Sequence, residues 1–462
     1  MPKTIAERLA DYGAGLKFSD LSSEAVHEAK RRVIDAFACA LGAFSSPPAK
    51  AAMASAPRVI DGLEAYMIGS GSPTNPDYAA FVNGIMVRYL DFNDTYLSKE
   101  PAHPSDNIPA MLAAAEAGAK NGEDFITAIV AAYEVQCRLC DAATLRLKGW
   151  DHVAYGSFSA TLGASMLMGL SRDETVHALG ISGTTSPALR QTRAGELSMW
   201  KGCAFANTAR NALFSAILAK NGMTGPAPIF EGEFGFQKVV SGPFDMPELA
   251  NSKNSHYKIV DTYIKYYPAE YHSQSAIGAA IELTKDIEDI NDIESVTVST
   301  FAAAYEIIGS GEEKWHPKTR ETADHSLPFC VAAALMDGNI KLSTFSERLH
   351  DEKLLKLVQK VRIVKDDDLD KMYPVAMPNR VEVKLKSGEF LTREIIYPKG
   401  HPKNPLSDLE VEEKFRSLAE WYLVNTEVNS ALNLLWRLEE VKDVREILRL
   451  FRRNERLHAR KR

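Results

Sequence analysis

The sequence predicts a mainly α-helical protein with one smaller α+β module. Apolar residues recur at helical spacing over roughly the first 260 residues, and the pattern changes to strand-like alternation after Pro268. Helical spacing returns near residue 400. Because 462 residues are too many for one ordinary core, we predict two domains. The all-helical domain comprises 1–265 and is completed by 400–462, and the α+β domain comprises 266–399.

The helical half contains several segments with recognisable ends. The segment SSEAVHEAKRRVIDAFACALGAF has a Ser-Ser-Glu start that can cap its first turn. The segment GEDFITAIVAAYEVQCRLCDAA has the same apolar spacing, as does GCAFANTARNALFSAILAKNGM, which ends at Gly222. Small residues are abundant in these segments, so the predicted helices can approach one another closely.

The longest uncharged run, Val153–Ser171, is about long enough to span a bilayer. Its Gly, Ser and Thr content favours a buried core helix instead. The N-terminal segment MPKTIAERLADYGAG is charged and amphipathic and has no apolar signal segment. We therefore expect a cytoplasmic protein with no membrane partner.

The α+β module is predicted from three alternating segments. IESVTVSTF shows alternation and is rich in β-branched residues, as a half-buried strand is. VEVKL and FLTREII alternate about a Lys386–Gly388 turn and predict a hairpin. DEKLLKLVQKV, between these segments, and DLEVEEKFRSLAEWYLVN, after them, have helical spacing.

Composition excludes several classes of protein. A hydrophobic fraction of 45% supports a large core, and a net charge of −7 argues against a general nucleic-acid binder. The last fourteen residues contain seven basic groups and one acid. A nucleic-acid or membrane tail is one interpretation, but a solvated helix end is favoured because cations stabilise helix C-termini.

The five cysteines are sparse and odd in number, which suits a reducing compartment. Cys137 and Cys140 lie one turn apart on a predicted helix. A structural zinc site needs a second pair, which the sequence lacks, and an iron–sulfur cluster needs at least a third cysteine nearby. We interpret both residues as thiols that pack between helices.

One polar cluster lies in RYLDFNDTYLSKEPAHPSDN. Asp91, Asp94 and Thr95 stand at i, i+3 and i+4, so they are expected to share one helix face. A turn then leads to His103 and to the start of the next helix, where an anion can bind. The alternative is an ordinary capped loop with a surface histidine.

A second cluster surrounds Lys201, which precedes a helix of small apolar residues. Its side chain either extends along that face to solvent or enters a pocket. Arg190 and Arg193 lie just upstream. They are either binding groups for carboxylates or surface residues.

Two further clusters lie in the α+β segment. Lys265, Glu270 and His272 stand among four tyrosines where the helical pattern ends, as in a ligand cleft. Alternatively, His272 caps the following helix. Arg320 and His325 precede an apolar helix, and an ordinary charged loop explains them equally well.

Common catalytic motifs are missing. The sequence has no G-x-G-x-x-G, no P-loop and no H-E-x-x-H. It also has no G-x-S-x-G. Dinucleotide-dependent, kinase, zinc-protease and ordinary esterase functions therefore have no support.

The polar clusters resemble the MmgE/PrpD family. The matching stretches are LDFNDTY with HPSDN, KGCAFANTARN, KYYPAEYHSQSA, KWHPKTRETADHSLPF and MPNRVEVKLKSGE. They occur in the family's order and span most of the chain. The family includes 2-methylcitrate dehydratases, cis-aconitate decarboxylases and iminodisuccinate epimerases. The resemblance implies a large all-helical domain with a smaller α+β lid, a cleft between them, a homodimer, and neither a metal nor an iron–sulfur cofactor.

The family's active-site residues carry over to positions of this sequence. The implied catalytic residues are Asp91, Thr95, His103, His152 in KGWDHVAYG, Lys201 and Lys265. The candidate substrate-binding residues are Arg320, His272 and Asp94. HPSDN and YPAEYHSQ resemble the dehydratase branch, so the implied activity is dehydration of 2-methylcitrate, a small tricarboxylate.

Such a reaction needs cations and an acid–base pair. Removing a proton beside a carboxylate builds up negative charge, which Lys201 and Lys265 would stabilise. His103, held by Asp91, is our candidate acid for the leaving hydroxide and His152 our candidate base, although the two roles can be exchanged. Thr95 would orient a carboxylate or hydroxyl. The alternatives are a decarboxylase or epimerase of the same family, or a non-catalytic helical scaffold.

Overall fold

The computed structural model describes residues 2–59, 62–195 and 197–451 and is dominated by helices. In chain order the helices are α1 Ile5–Gly15, α2 Ser23–Ala43, α3 Pro47–Ser55, α4 Pro76–Tyr89, α5 Ile108–Ala117, α6 Gly122–Ala142, α7 Gly156–Met168, α8 Arg172–Thr185, α9 Ala204–Lys220, α10 Gln274–Leu283, α11 Ala302–Ile308, α12 Arg320–Ala323, α13 Leu327–Asp337, α14 Thr344–Glu347, α15 Glu352–Val358, α16 Asp367–Asp370, α17 Asp408–Ala419, α18 Asn425–Trp436 and α19 Arg445–Leu450. The strands are β1 Ala65–Tyr66, β2 Pro73–Thr74, β3 Ile293–Thr300, β4 Val361–Lys365, β5 Asn379–Leu385 and β6 Phe390–Ile395. The prediction of a mainly α protein is confirmed.

The chain divides into two compact units. The first contains the residues up to Ala194, then Met199–Thr262, and then the chain from Ser407 onward. The second is built mainly from Tyr263–Leu406. We predict one domain from 1–265 completed by 400–462, and a lid domain from 266–399. That the two parts fold independently, and that the second acts as a lid, stays a prediction.

The first unit is a stack of helices around α7, which packs against α5, α6, α8 and α9. The run Val153–Ser171 contributes this buried helix, as we predicted. A Cβ atom added at Gly163 would lie 2.2 Å from Met111 Sδ and 3.2 Å from the carbonyl oxygen of Ala128. Small residues therefore let α7 approach α5 and α6 closely. Among the helices of the described residues, none is both long and apolar enough to cross a bilayer.

Several predicted helix ends are confirmed. The hydroxyl of Ser22 accepts a hydrogen bond from Ala25 N and caps α2, because a serine before the first turn satisfies one of its unpaired amides. Gly222 follows α9 with a φ of +90°. Cys137 and Cys140 lie on α6 as buried thiols, and burial raises the pKa of both.

The C-terminal segment joins the first unit through α17, which packs against α2. This contact packs a helix that follows the second unit against the second helix of the chain. Most of the basic tail falls in 452–462, which lies outside the described residues. Its role as a solvated helix end, or as a nucleic-acid or membrane tail, stays a prediction.

The second unit contains a mixed sheet with the strand order β4-β3-β5-β6. β3 pairs parallel with β4 and antiparallel with β5, and β5 and β6 form the predicted hairpin. Gly388 supplies the φ of +89° that the hairpin turn requires. Strand β4 was not predicted, because the predicted helix DEKLLKLVQKV contains only its first residue, Val361, and the sequence pattern predicts no element for the residues that follow.

Candidate active site

The loop after α4 begins with an unusual backbone conformation. Asp91 has a φ of +51°, and its amide donates to the carbonyl oxygen of Arg88 at 3.0 Å. A left-handed residue ends a helix, and aspartate tolerates that conformation better than most residues do. The prediction that Asp91, Asp94 and Thr95 share a helix face is therefore wrong. They lie in an irregular loop beyond Tyr89.

The loop closes on itself before it reaches His103. Tyr96 and Ala102 exchange two backbone hydrogen bonds of 2.8 Å. The hydroxyl of Thr95 donates to the carbonyl oxygen of Ala102 at 3.1 Å. Thr95 therefore holds the backbone that carries His103 into the 3-10 turn Pro104–Asn107 and then into α5.

Arg88 links the side chains of Asp91 and His103. Its Nη1 lies 2.5 Å from Asp91 Oδ1, and its Nη2 lies 3.0 Å from His103 Nε2. Lys201, in the 3-10 turn that precedes α9, lies 2.9 Å from Asp91 Oδ2. The side chain of Lys201 is buried, so the alternative in which it extends to solvent is wrong.

Sequence reasoning missed Arg88. A signal was present, because Arg88 and Asp91 stand three residues apart, a spacing at which opposite charges often pair. Burial of both groups could not be predicted from that spacing. The result is a buried carboxylate that binds two cations.

The contacts of His103 fix its hydrogen positions. Nδ1 lies 2.8 Å from the carbonyl oxygen of Asp94, which can only accept, so Nδ1 carries the proton. A guanidinium can only donate, so Nε2 accepts from Arg88. We therefore assign His103 as a neutral imidazole in this structure.

Asp94, a residue of the same loop, is fully buried. Its Oδ1 accepts from Ser105 N at 2.9 Å, and its Oδ2 accepts from the hydroxyl of Tyr133 at 2.8 Å. Burial raises the pKa of Asp94, although Arg32 opposes the change. These contacts anchor the loop to α6. Binding of substrate to Asp94 stays a prediction and would require displacement of a protein donor.

His152 begins a second 3-10 turn, and Asp151 caps that turn. Asp151 Oδ1 lies 3.0 Å from His152 Nδ1 and accepts from Val153 N at 3.3 Å. Arg193 Nε lies 2.9 Å from Asp151 Oδ2. Burial alone would raise the pKa of Asp151, but Arg193 and His152 hold it well below its usual range.

These neighbours set the ionisation of His152. Burial lowers the pKa of His152, and the positive charge of Arg193 lowers it further. The carboxylate of Asp151 keeps the proton on Nδ1, so the lone pair of Nε2 points away from Asp151. The rings of His152 and His103 lie 5.8 Å apart between centroids. The first unit thus presents two neighbouring neutral imidazoles with cationic side chains beside them.

Asp151 was missed, although it directly precedes His152 in the sequence. Arg193 was considered either a carboxylate-binding or a surface residue. Its side chain is 15% exposed and binds Asp151, so it is not a surface residue. No local pattern indicates that the segments containing Asp151 and Arg193 meet.

The second unit carries the remaining predicted residues. Glu270 caps the 3-10 turn Tyr271–Ser273, and its Oε1 lies 2.6 Å from His272 Nδ1. Burial alone would raise the pKa of Glu270, but contacts with His272, and to a smaller extent with His325 and Lys265, lower it to about 2. His272 Nε2 is buried and has no hydrogen-bond partner among the described residues. Glu270, rather than His272, is thus the capping residue.

Arg320 begins α12, and its Nη1 lies 3.6 Å from Asp324 Oδ2. Asp324 Oδ1 in turn lies 2.5 Å from His325 Nδ1. Lys265 is almost completely buried in the same unit. The participation of Lys265, His272 and Arg320 in one site with the residues of the first unit stays a prediction.

Comparison with known proteins gives matches over most of the chain. The model of the MmgE/PrpD N-terminal domain matches residues 7–249, and that of the MmgE/PrpD C-terminal domain matches residues 267–440. The 2-methylcitrate dehydratase of Cupriavidus necator is 27% identical over 446 residues, which cover 90% of each chain. That of Escherichia coli K12 is 27% identical over 420 residues, or 83% of this chain and 84% of the relative. The cis-aconitate decarboxylase-like protein oryM of Aspergillus oryzae is 27% identical over 476 residues, or 96% of this chain and 97% of the relative. The chain belongs to the MmgE/PrpD family.

Proposed function

We propose that this protein is a hydro-lyase that dehydrates 2-methylcitrate to 2-methyl-cis-aconitate. Curated relatives named 2-methylcitrate dehydratase cover most of the chain, so it is an enzyme of the carbon–oxygen lyase class. The scaffold alternative is therefore dropped. The observation that carries the proposal is the buried imidazole of His152, oriented by Asp151 and placed among cations.

His152 is the base in this proposal. Its unprotonated Nε2 removes the proton from the carbon that bears a carboxylate, and the C–H electron pair becomes part of the new double bond. Negative charge builds up on that carboxylate in the transition state. Buried cations stabilise such charge more than water does, and Lys201 and Arg88 supply them near His103.

The leaving hydroxide needs a proton, and His103 is our candidate donor. In this structure its Nε2 accepts from Arg88 and carries no proton. A tricarboxylate would attract Arg88, and its negative charge would favour the imidazolium form of His103. We propose that His103 becomes protonated in the substrate complex and returns that proton when water leaves.

Four further parts of the proposal come from the resemblance. The second unit acts as the lid and supplies Lys265 as a carboxylate-binding group; Arg320 and His272 are added as binding groups from their sequence context. The protein is a cytoplasmic homodimer. The reaction needs no metal. Each is tested separately, by activity of a Lys265→Met variant, cell fractionation, light scattering of the purified chain, and activity after treatment with a chelator.

A substrate screen tests the activity directly. The purified protein is incubated with 2-methylcitrate, citrate, cis-aconitate and iminodisuccinate, and products are identified by mass and, for iminodisuccinate, by chiral chromatography. We expect an unsaturated tricarboxylate from 2-methylcitrate with no release of CO₂. Release of CO₂ from cis-aconitate would instead support a decarboxylase, the activity in the name of one relative. Racemised iminodisuccinate would support an epimerase.

A His152→Asn variant is the internal control for that screen. Asparagine keeps a polar side chain of similar reach but cannot accept the substrate proton at physiological pH. Turnover by His152→Asn at the wild-type rate would remove His152 from the mechanism. Circular dichroism establishes that the variant is folded.

A further inference from the structure

Arg193 has a guanidinium that binds Asp151 through Nε and reaches His152 with Nη2. It ends the 3-10 turn Arg190–Arg193, and its Nε lies 3.0 Å and 2.9 Å from the two oxygens of Asp151. Asp151 is completely buried and is itself fixed by His152 and Val153 N. The position of the guanidinium is therefore set from the Nε side.

The other edge of the guanidinium faces the catalytic imidazole. Arg193 Nη2 lies 3.5 Å from His152 Nε2, which is long for a hydrogen bond between nitrogen atoms. An arginine has five N–H donors, and Asp151 engages the one on Nε. One N–H of Nη2 therefore points at the Nε2 lone pair, and the remaining Nη donors can bind an anion beside it.

A carboxylate suits this position because its two oxygens match the spacing of guanidinium donors. An acid bound there would have its carboxylate beside the base. The neighbouring carbon, and the proton on it, would then come within reach of His152 Nε2. A hydroxyl or amide in the same place would gain much less from the positive charge.

We propose that Arg193 binds the carboxylate attached to the carbon that loses its proton. The residue thereby restricts substrates to acids whose reacting C–H bond is adjacent to a carboxylate. This inference rests on the proposed dehydratase function, because it assigns a subsite within that reaction.

The chemical step is balanced without any further reactant. The proton moves from carbon to His152 Nε2, and the C–H electron pair forms the double bond. The C–O bond breaks, and the oxygen leaves as water with the proton from the acid. The carboxylate on Arg193 is unchanged, and it carries increased negative charge only in the transition state.

A purely structural role is the competing explanation, in which Arg193 only ties its turn to Asp151. Two variants separate the explanations. Arg193→Gln keeps an amide donor for Asp151 but removes the charge. Arg193→Lys keeps the charge but loses the two-pronged geometry. Arg146→Gln is the matched control, since it removes a guanidinium from the nearby turn Arg146–Lys148 and Arg146 is not a partner of Asp151.

The variants should differ in KM and in pH dependence. A charge-assisted hydrogen bond contributes about 1.5–3 kcal/mol, so we expect the KM of Arg193→Gln and of Arg193→Lys to rise about 10- to 100-fold. The charges facing His152 are Asp151, Arg193 and the more distant Glu100, with His103 beside them. Without the charge of Arg193, the pKa of His152 rises. The acidic limb of kcat/KM should therefore move to higher pH in Arg193→Gln and stay in place in Arg193→Lys and Arg146→Gln.

Binding of tricarballylate gives a second readout that does not depend on turnover. This acid has three carboxylates and no hydroxyl, so it cannot be dehydrated. We expect its dissociation constant to rise about 10- to 100-fold in Arg193→Gln, the same range as KM. We expect the dissociation constant to be unchanged in Arg146→Gln.

The inference would be overturned if the wild-type enzyme dehydrates 2-methylcitrate and both Arg193 variants keep the wild-type KM and tricarballylate affinity. A wild-type protein that neither dehydrates 2-methylcitrate nor binds tricarballylate would overturn the proposed function instead. If Arg193→Gln fails to fold, the Arg193→Lys result alone decides the carboxylate subsite.

Discussion

The ammonium of Lys414 lies 2.6 Å from the backbone carbonyl oxygen of Phe92 and 3.7 Å from the centre of its ring. Lys414 also lies 2.6 Å from Asp35 Oδ1, and all three residues are buried. Phe92 directly follows Asp91. A lysine of α17 and an aspartate of α2 therefore support the backbone that presents the candidate catalytic carboxylate.

Replacing Lys414 by methionine should reduce both stability and activity. The change leaves Asp35 buried without its nearest cation, and breaking a buried ion pair costs about 3–5 kcal/mol. Urea unfolding measures the loss, and the exposed Lys442→Met is the control. We expect a smaller loss in a Lys414→Met/Asp35→Asn double variant. An unfolding free energy within about 0.5 kcal/mol of wild type would contradict the assigned anchor, because such a change is typical of an ordinary surface substitution.

An Arg88→Lys variant should fold and lose activity. Arg88 binds Asp91 Oδ1 with Nη1 and His103 Nε2 with Nη2. A lysine has a single ammonium nitrogen and cannot make both contacts from separate atoms. We expect kcat/KM to fall by about 10- to 100-fold, since one charge-assisted hydrogen bond is lost. Arg210→Lys, at a partly exposed pair with Asp77, should keep wild-type kinetics. Equal kinetics in the two variants would remove Arg88 from the site.

His103→Ala should lower kcat by on the order of 10² or more, as loss of general acid–base catalysis does. Its fold should persist, because His103 is only partly buried and its Nδ1 donates to a backbone carbonyl oxygen, that of Asp94, rather than to a core side chain. Steady-state kinetics with 2-methylcitrate provide the measurement, and the exposed His256→Ala provides the control. An unaltered kcat in His103→Ala would exclude His103 as the proton donor.

Glu116 should make the protein less stable as the pH rises. Burial raises the pKa of Glu116 to about 8, although Tyr66 N donates to its Oε2. The folded protein thus retains a proton that the unfolded chain releases above about pH 4.3. The contribution of Glu116 to the free energy of unfolding is fully present below about pH 4.3. Between that pH and about pH 8 it is lost, by up to about 1.4 kcal/mol per pH unit.

A Glu116→Gln variant tests whether ionisation of Glu116 lowers stability as the pH rises. Glutamine stays neutral, so we expect its melting temperature to exceed that of wild type at pH 8 and to approach it at pH 5. The exposed Glu123→Gln should show no such difference between the two pH values. A stabilisation that is the same at both pH values would show that the ionisation of Glu116 is not responsible.

Local signals explain what could be predicted from sequence. The cap at Ser22 and the hairpin turn at Gly388 depend on neighbouring residues, so a short stretch of sequence specifies each of them. Strand β4 was missed because a short apolar run fits either a helix or a strand, and its pairing with β3 joins distant segments. The spacing of apolar residues alone does not distinguish a helix from a strand in so short a segment.

The site shows the same limit. Lys201 was found from its place before a helix of small apolar residues, and His152 because the family motif contains it. The contacts that tune both residues join separate segments of the chain. Asp151 meets Arg193 only in the folded chain, and Arg88 gains its role from burial beside His103. The conformation of Asp91 likewise depends on its surroundings, because aspartate has no intrinsic preference strong enough to impose a left-handed backbone.

The positive φ of Asp91 limits which side chains a mutational library can place there. Asparagine tolerates the same backbone and has the same shape, so it alone separates the effect of charge from that of conformation. Valine or isoleucine would fail for steric reasons whatever their chemistry, and glycine would relax the turn while it removes the functional group. A screen for activity at position 91 therefore selects at once for residues that tolerate a left-handed backbone and for side chains that supply the required chemistry.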